Sequence, residues 1–406
     1  LEEVLKAYAG ENQATERTHD DAAAKLADLL GKSGLLIDRP GKKAAFHHLS
    51  FQEFLAAERL IQTHRADDGL MAVVRERAGT AEWRRTLVHL FGALALRHRN
   101  EQWAVERLTA LAREQTRKAV SDCPHPAVFL ADCVDVALAK RWYLGELQDV
   151  MVALCLHAIE DGIELHARAR LALTLGRLGD PRPGVGLRKD GLPDISWIPI
   201  AAGVVESEGG KRRELGAFSI ARYPVTNAQF QAFLDAPDGY RSNAWWDGLE
   251  RVEPSTPAWS EPNAPRVVVS WYEAVAFCRW LSAREGRVVR LPSESEWQLA
   301  ATGGDRAREF PWGEWREGMC NSAESQLGRT SAVGLFPKAT WSGGPLEMAG
   351  NVWEWCFDEV GSSPRVLRGG SWSGTAGGCR SASRSGGPAG ARCDGVGFRP
   401  ASSSLR

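Results

Sequence analysis

Apolar residues recur at helical spacing through Leu26, Leu29 and Leu30, and again through Leu87, Leu90 and Leu94, so the first 180 residues read as mostly helical. One helix start is sharply drawn. Ser50 is placed to cap the amide of Glu53 while Glu53 reaches back, and Leu49 is placed to staple onto Phe54. The turn-rich stretch from Gly31 to Phe46 predicts a small hairpin just before it. A later helix over 167–177 runs into Gly179, Pro181 and Pro183, which is a stop signal, and the string to Pro193 reads as a linker. From Ile195 the pattern changes to short strands and three compact helices. Each is opened by a capping box: Thr226 with Gln229, Ser270 with Glu273, Ser293 with Glu296. Val225 is placed to staple onto Phe230, and Ala274, Phe277, Cys278 and Leu281 form one apolar stripe. Beyond Gly303 apolar runs are short while Gly and Pro are frequent, which predicts loops with strands such as 365–367 and 396–399. The fold class is α+β: a helical module over 1–180, a linker over 181–194 and a loop-rich domain over 195–406.

Composition sharpens that division. Among 406 residues all nine His lie at or before His166, whereas thirteen of the sixteen Trp lie from Trp197 onward. The second half therefore holds no imidazole, which removes His-based triads, His-ligated zinc and facial-triad iron from it. A net charge of −1 gives no global field toward nucleic acid or anionic membrane, so neither is expected as a partner. No run of about 18 apolar residues is long enough to span a bilayer as a helix. The eight Cys (123, 133, 155, 278, 320, 356, 379, 393) show no C-x-x-C pair and no ladder, so they read as free thiols in a reducing, cytoplasmic setting. A start at Leu1 with no signal-peptide pattern reads as a piece of a longer protein. Gly31-Lys32-Ser33 looks like the end of a phosphate loop, but Leu26 stands where the leading Gly is required, so it reads as a turn.

The second half resembles the sulfatase-modifying-factor family, the formylglycine-generating-enzyme type of C-type-lectin-like fold. The resemblance rests on Ile198-Pro199-Ile200-Ala201-Ala202-Gly203, Tyr223-Pro224-Val225-Thr226-Asn227, Arg290-Leu291-Pro292-Ser293-Glu294-Ser295-Glu296-Trp297, Pro311-Trp312-Gly313, Met348-Ala349-Gly350-Asn351-Val352-Trp353-Glu354-Trp355, Arg368-Gly369-Gly370-Ser371-Trp372 and Gly397-Phe398-Arg399. It implies few long elements held by Trp packing, with Trp297, Trp353, Trp355 and Phe398 buried. The string Phe46-His47-His48-Leu49-Ser50-Phe51-Gln52-Glu53-Phe54-Leu55-Ala56-Ala57 resembles the segment after the NTPase core of NACHT or STAND-type signalling proteins, at the end of a winged helix. The core itself is not in this sequence.

The resemblance also implies chemistry. Its oxygen-dependent enzyme holds Cu(I) on two Cys five residues apart, and those positions fall here on Gly374 and Cys379. One thiol cannot do the work of two, so no copper site and no catalytic residue is expected, and Cys379 reads as a buried structural thiol. The resemblance places a calcium site at Glu347, Gly350, Val352 and Glu354, two side chains and two carbonyls, a donor set that suits the ion. The alternative is that Glu354 pairs with an Arg and no cofactor is held. Asp20, Asp21, Glu294 and Glu296 read as helix N-terminal charges rather than acid–base pairs.

The segment 373–395 is the most unusual. Eighteen of its 23 residues are Gly, Ala, Ser, Thr or Cys, and it has no Lys, Glu, Gln, Met or Trp. Those five are the types that a codon ending in a pyrimidine cannot encode. This bias is what replacement of the first two bases of Asn codons leaves behind, and it resembles the variable region of a diversity-generating retroelement target protein. Such proteins display substituted residues as a binding surface on a C-type-lectin-like scaffold. The display positions are then Ser373, Gly374, Thr375, Gly377, Gly378, Ser383, Ser385, Gly386, Gly387, Gly390, Cys393, Asp394 and Gly395. Trp353, Trp355, Trp372, Arg380, Arg384, Arg392 and Phe398 are the scaffold, the Arg side chains bonding backbone carbonyls. The display sites should face solvent, because a close-packed core accepts no varied side chains. The expected function is binding of an unidentified ligand, a protein. The rival readings are a formylglycine-generating-type oxidoreductase with an altered site, a flexible Gly/Ser loop on a degenerate relative, and a structural module of a STAND-type signalling protein.

Overall fold

The computed structural model describes residues 36–39, 43–46, 48–64, 66–116, 123–206, 212–359 and 364–403. The helix through Leu26, Leu29 and Leu30, the Gly31-Lys32-Ser33 turn and the Asp20-Asp21 pair lie outside them. The chain divides into two compact units, Leu1–Leu111 with Asp132–Leu144, and Ala112–Ala131 with Gly145–Arg406.

In the first unit β1 (Leu36–Arg39) and β2 (Lys43–Phe46) form the expected antiparallel hairpin. Helix α1 (Leu49–Thr63) follows, then α2 (Asp67–Arg77) and α3 (Arg84–Ala93), and α1 packs on α3 with Ala57, Leu87, Leu90 and Phe91 buried. The cap of α1 differs from expectation. His48 is the N-cap, its Nδ1 accepting from Ser50 N at 3.3 Å. The helix thus begins two residues too early for Ser50 to cap it, and Leu49 is left 59% exposed instead of stapled. Helices α4 (Glu101–Thr116) and α5 (His125–Ala139) each contribute to both units.

The second unit opens with α6 (Glu146–Asp161) and α7 (Leu165–Leu178), packed together. The Glu164 carboxylate caps α7, accepting from His166 N and Ala167 N at 2.8 and 2.9 Å. The stretch 181–194 is tied down along its length. Gly184 N donates to Asp194 at 2.8 Å, Thr226 Oγ1 to Val185 O at 2.8 Å, and Gln229 Nε2 to Gly184 O and Asp194 O. Gln229 is the same residue that closes the first capping box, so one side-chain amide both starts a helix and anchors this strap.

Beyond it run β3 (Trp197–Ile200), the β4–β5 hairpin (Gly203–Glu206, Arg212–Leu215) and β6 (Phe218–Ala221). Helices α8 (Asn227–Asp235), α9 (Trp271–Glu285) and α10 (Glu294–Thr302) each carry the expected capping box, with β7 (Val289–Arg290) between the last two. Strands β8 (Trp353–Glu359), β9 (Arg365–Arg368), β10 (Arg384–Gly387), β11 (Val396–Gly397) and β12 (Ala401–Ser402) complete two four-stranded sheets, ordered β3-β6-β12-β7 and β10-β9-β8-β11. An aromatic core of Phe230, Phe233, Phe277, Trp280, Trp355 and Phe398 lies beside the second sheet, with rings 5.3–6.2 Å apart among the Phe and Trp280. Trp297, Trp355 and Phe398 are buried as expected. Trp353 is half-buried, because it begins β8 at the sheet's rim, where only part of its ring meets the core.

Candidate display surface

The segment 373–395 wraps one sheet from edge to edge. It leaves β9 through Gly369 and Gly370, turns under a 3₁₀ helix (Ala376–Cys379), returns antiparallel to β9 as the edge strand β10, and reaches the opposite edge, where β11 runs parallel to β8. None of the thirteen candidate positions is buried: eight are exposed and five half-exposed.

The glycines divide in a second, independent way. Gly369, Gly370 and Gly397 are crowded: an added Cβ would meet Trp297 at 3.0 Å, Cys379 Sγ at 2.8 Å and Arg266 O at 2.7 Å, and the first two carry φ of +99° and +78°. Gly374 and Gly377 would make only ordinary contacts at 3.5 and 3.9 Å, and Gly378 and Gly390 would meet nothing. Gly387 and Gly395 are tighter, at 3.3 Å from Trp355 and 3.2 Å from Ser371.

The backbone of the segment is held by groups outside it. Trp372 N donates to Asn351 O and Trp353 N to Gly395 O, Ala323 N to Gly374 O, Trp271 N to Ala389 O and Val268 N to Cys393 O, all within 3.1 Å. Glu324 accepts from Ala376 N at 2.8 Å. Burial alone would raise that carboxyl, but the Ala376 amide and the Ser322 hydroxyl outweigh it and hold the group below the usual carboxylate range.

Two of the three Arg differ from their expected role. Only Arg392 reaches a carbonyl, Glu253 O at 2.9 Å, and it also pairs with the buried Glu273 at 2.9 Å. Arg380 pairs with Glu309 and Arg384 with Glu294, each at 2.7 Å and part-exposed, because a carboxylate within reach outcompetes a carbonyl for a guanidinium. The carbonyl-binding task falls to Arg368. Fully inside the domain, it donates to Ser381 O at 2.6 Å and Ala382 O at 3.2 Å, pairs with Glu294 at 3.2 Å and lies over the Trp297 ring. Glu294 therefore does more than charge a helix start: it gathers Arg368 and Arg384. Arg368 and Glu294 both sit in recognised motifs, but their spacing in sequence gave no sign that they meet.

Two metal expectations can be tested on geometry. Gly374 supplies no thiol, and Cys379 instead shares a buried cluster with Cys320, a neighbour that no sequence spacing pointed to. Two of the four calcium candidates have carboxylates already engaged by other groups. Glu354 accepts from Trp297 Nε1 at 2.7 Å and from Arg399 Nε and Nη2 at 2.7 and 2.6 Å, so a fully buried guanidinium already occupies its oxygens and would repel a divalent cation. Glu347, at φ +58°, accepts from Gly334 N at 3.0 Å, and its second oxygen has no partner. Burial pushes its carboxyl up to about 8 despite Arg399 and Arg182 nearby, so it rests largely uncharged at neutral pH. Among the described residues no three His, Cys, Asp or Glu gather as a metal site, and no helix is long and apolar enough to cross a membrane.

The chain is 34% identical over 242 residues to the inactive C-alpha-formylglycine-generating enzyme 2 of Mus musculus, covering 47% of this chain and 76% of that protein. It is 32% identical over 212 residues to the hercynine oxygenase of Mycolicibacterium thermoresistibile, covering 39% of this chain and 45% of that enzyme, and so spans less than half of that relative's length. It is 32% identical over 201 residues to the formylglycine-generating enzyme of Thermomonospora curvata, covering 38% of this chain and 64% of that protein. Active and inactive proteins thus stand together among its relatives. Among solved structures, Treponema denticola variable protein 1 aligns with a TM-score of 0.41 at 23% identity, over 51% of this chain and 95% of that one. Residues 196–404 match the sulfatase-modifying factor enzyme 1-like domain, and with that half of its length the chain belongs to this family.

Proposed function

We propose that the domain over 195–406 is a non-catalytic binding module whose segment 373–395 displays a sequence-diversified surface to a protein ligand. The observation that carries this reading is the division among the glycines. Framework positions crowd an added Cβ, whereas Gly374, Gly377, Gly378 and Gly390 leave room for one on a backbone that others hold. The module over 1–180 is read as the tail of a NACHT/STAND-type protein, 181–194 as the join, and the whole as cytoplasmic, binding neither nucleic acid nor membrane. Small side chains supply little contact area, so this particular sequence binds weakly, and Tyr or Arg at the same sites would bind better.

The test is genomic. A near-copy of the codons for about 372–399, differing from this gene only at adenines, is expected in the same genome. Copies of the gene that are invariant at the thirteen sites would instead support a structural module.

A second reading, an oxidoreductase, has one observation in its favour: Cys320 gives Cys379 a thiol neighbour. Incubation with Cu(I), oxygen and a Cys-containing peptide is expected to give no aldehyde. Turnover lost on Cys379→Ala would favour the enzyme.

A further inference from the structure

Cys320 and Cys379 come from segments far apart in sequence and lie in one buried cluster at the root of the proposed display loop. Both are buried, in an apolar nest with Phe310 and Ala349, and Trp312 and Trp315 pack on it from outside. Two framework glycines make room for them. A Cβ on Gly370 would come within 2.8 Å of Cys379 Sγ, and one on Gly350 within 3.2 Å of Cys320 Cβ. The segments that carry the thiols are already joined by Ala323 N to Gly374 O and by Ala376 N to Glu324, each at 2.8 Å.

The nest decides between chemistries. Zinc needs more ligands than two thiols, and among the described residues no third His, Cys, Asp or Glu gathers with them. A monovalent ion on two thiolates would leave a net negative charge in an apolar pocket, whereas a disulfide is neutral and costs no charge burial. The neighbouring Cys379, and burial after it, push the Cys320 thiol far up, so Cys320 rests as an uncharged thiol until it is oxidised.

We propose that Cys320 and Cys379 are an oxidation site, which a small peroxide converts into a disulfide that fastens the display loop to the segment supporting it. One thiol, as its thiolate, attacks the peroxide O–O bond and becomes a sulfenic acid, and the leaving oxygen takes a proton to become water. The second thiol's sulfur then displaces the sulfenic hydroxyl, which leaves with that thiol's proton as a second water. Two thiols thereby lose two electrons and two hydrogens, and one peroxide becomes two waters. The proposal stands whether or not the loop is diversified.

The test treats the reduced full chain with hydrogen peroxide, alkylates the remaining thiols, and maps the digest by mass. A linked peptide pair carrying Cys320 and Cys379, short of two hydrogens, is expected. The melting temperature should rise by roughly 5–10 °C, and dithiothreitol should reverse both changes. Cys320→Ser or Cys379→Ser should abolish the link and the shift, whereas Cys393→Ser, at an exposed thiol, should leave them. Mapping of the parent chain needs no variant, so a misfolded mutant does not blunt the test. A sulfinic acid on Cys379 without a link, a link to another Cys, or a shift that persists in Cys320→Ser would overturn the proposal. So would one equivalent of Cu(I) held by the reduced pair in a form that blocks the link.

Discussion

Arg399 concentrates more of the domain's order than any charge near it. Its Nη1 donates to Ala221 O and Arg222 O, its Nη2 to Leu346 O, Glu347 O and Glu354, and its Nε to Glu354, all at 3.1 Å or less and with both partners of the ion pair fully buried. A planar fork is needed to reach so many acceptors at once, and an ammonium cannot replace it. Arg399→Ala should cost about 3–5 kcal/mol, since it strands a buried carboxylate. Arg399→Lys should also lower the urea midpoint clearly, and a midpoint equal to the parent's would mean that the fork is not what holds these segments. Glu347 sets a pH dependence. Its folded pKa of about 8 lies above the ordinary carboxyl value, so the stability it contributes is full in acid and is lost as pH rises from about 4.5 through 8. Glu347→Gln keeps an acceptor for Gly334 N and carries no charge. The drop in melting temperature between pH 5 and pH 8 should therefore be smaller in the variant, and identical slopes would contradict this assignment.

At the scale of elements, the parts that were legible in the sequence are those set by neighbours along the chain. The three capping boxes and the hairpin before α1 needed only local spacing, and all four formed. The start of α1 departs from its expected position because His48, and not Ser50, caps the helix. The candidate surface could be outlined from composition, but its fastenings could not. Arg368 and Glu294 are 74 residues apart, and Cys320 and Cys379 similarly distant, so only the closed fold brings either pair together. The glycine division yields a direct expectation. Replacing Gly374, Gly378 and Gly390 together by Tyr should leave the thermal midpoint within about 2 °C of the parent, since surface changes away from special sites are small. Gly370→Ala alone should unfold the domain or lower the midpoint steeply, because a Cβ there meets Cys379 Sγ and a carbonyl at 2.8 Å on a backbone of φ +78°. The opposite order of effects would mean that display and framework positions have been exchanged.

For the whole molecule, stability should be independent of divalent cations. Arg399 takes the place among the Glu354 oxygens that an ion would need, so melts in excess calcium and in excess chelator should superimpose. A rise with calcium would show that the guanidinium and an ion share the site. The strand β12 has a consequence of another kind. It pairs with β6 on one side and β7 on the other, so the β3-β6-β12-β7 sheet is incomplete until residues 401 and 402 have been made. Translation must read through the entire segment 373–395 before the domain can close. Any premature stop within 373–395 would therefore release a chain with an open sheet, a substrate for proteases rather than a weaker binder. All three stop codons end in a purine. A diversification confined to codons ending in a pyrimidine can thus never write one, and every member of such a library would reach the strand that closes its fold.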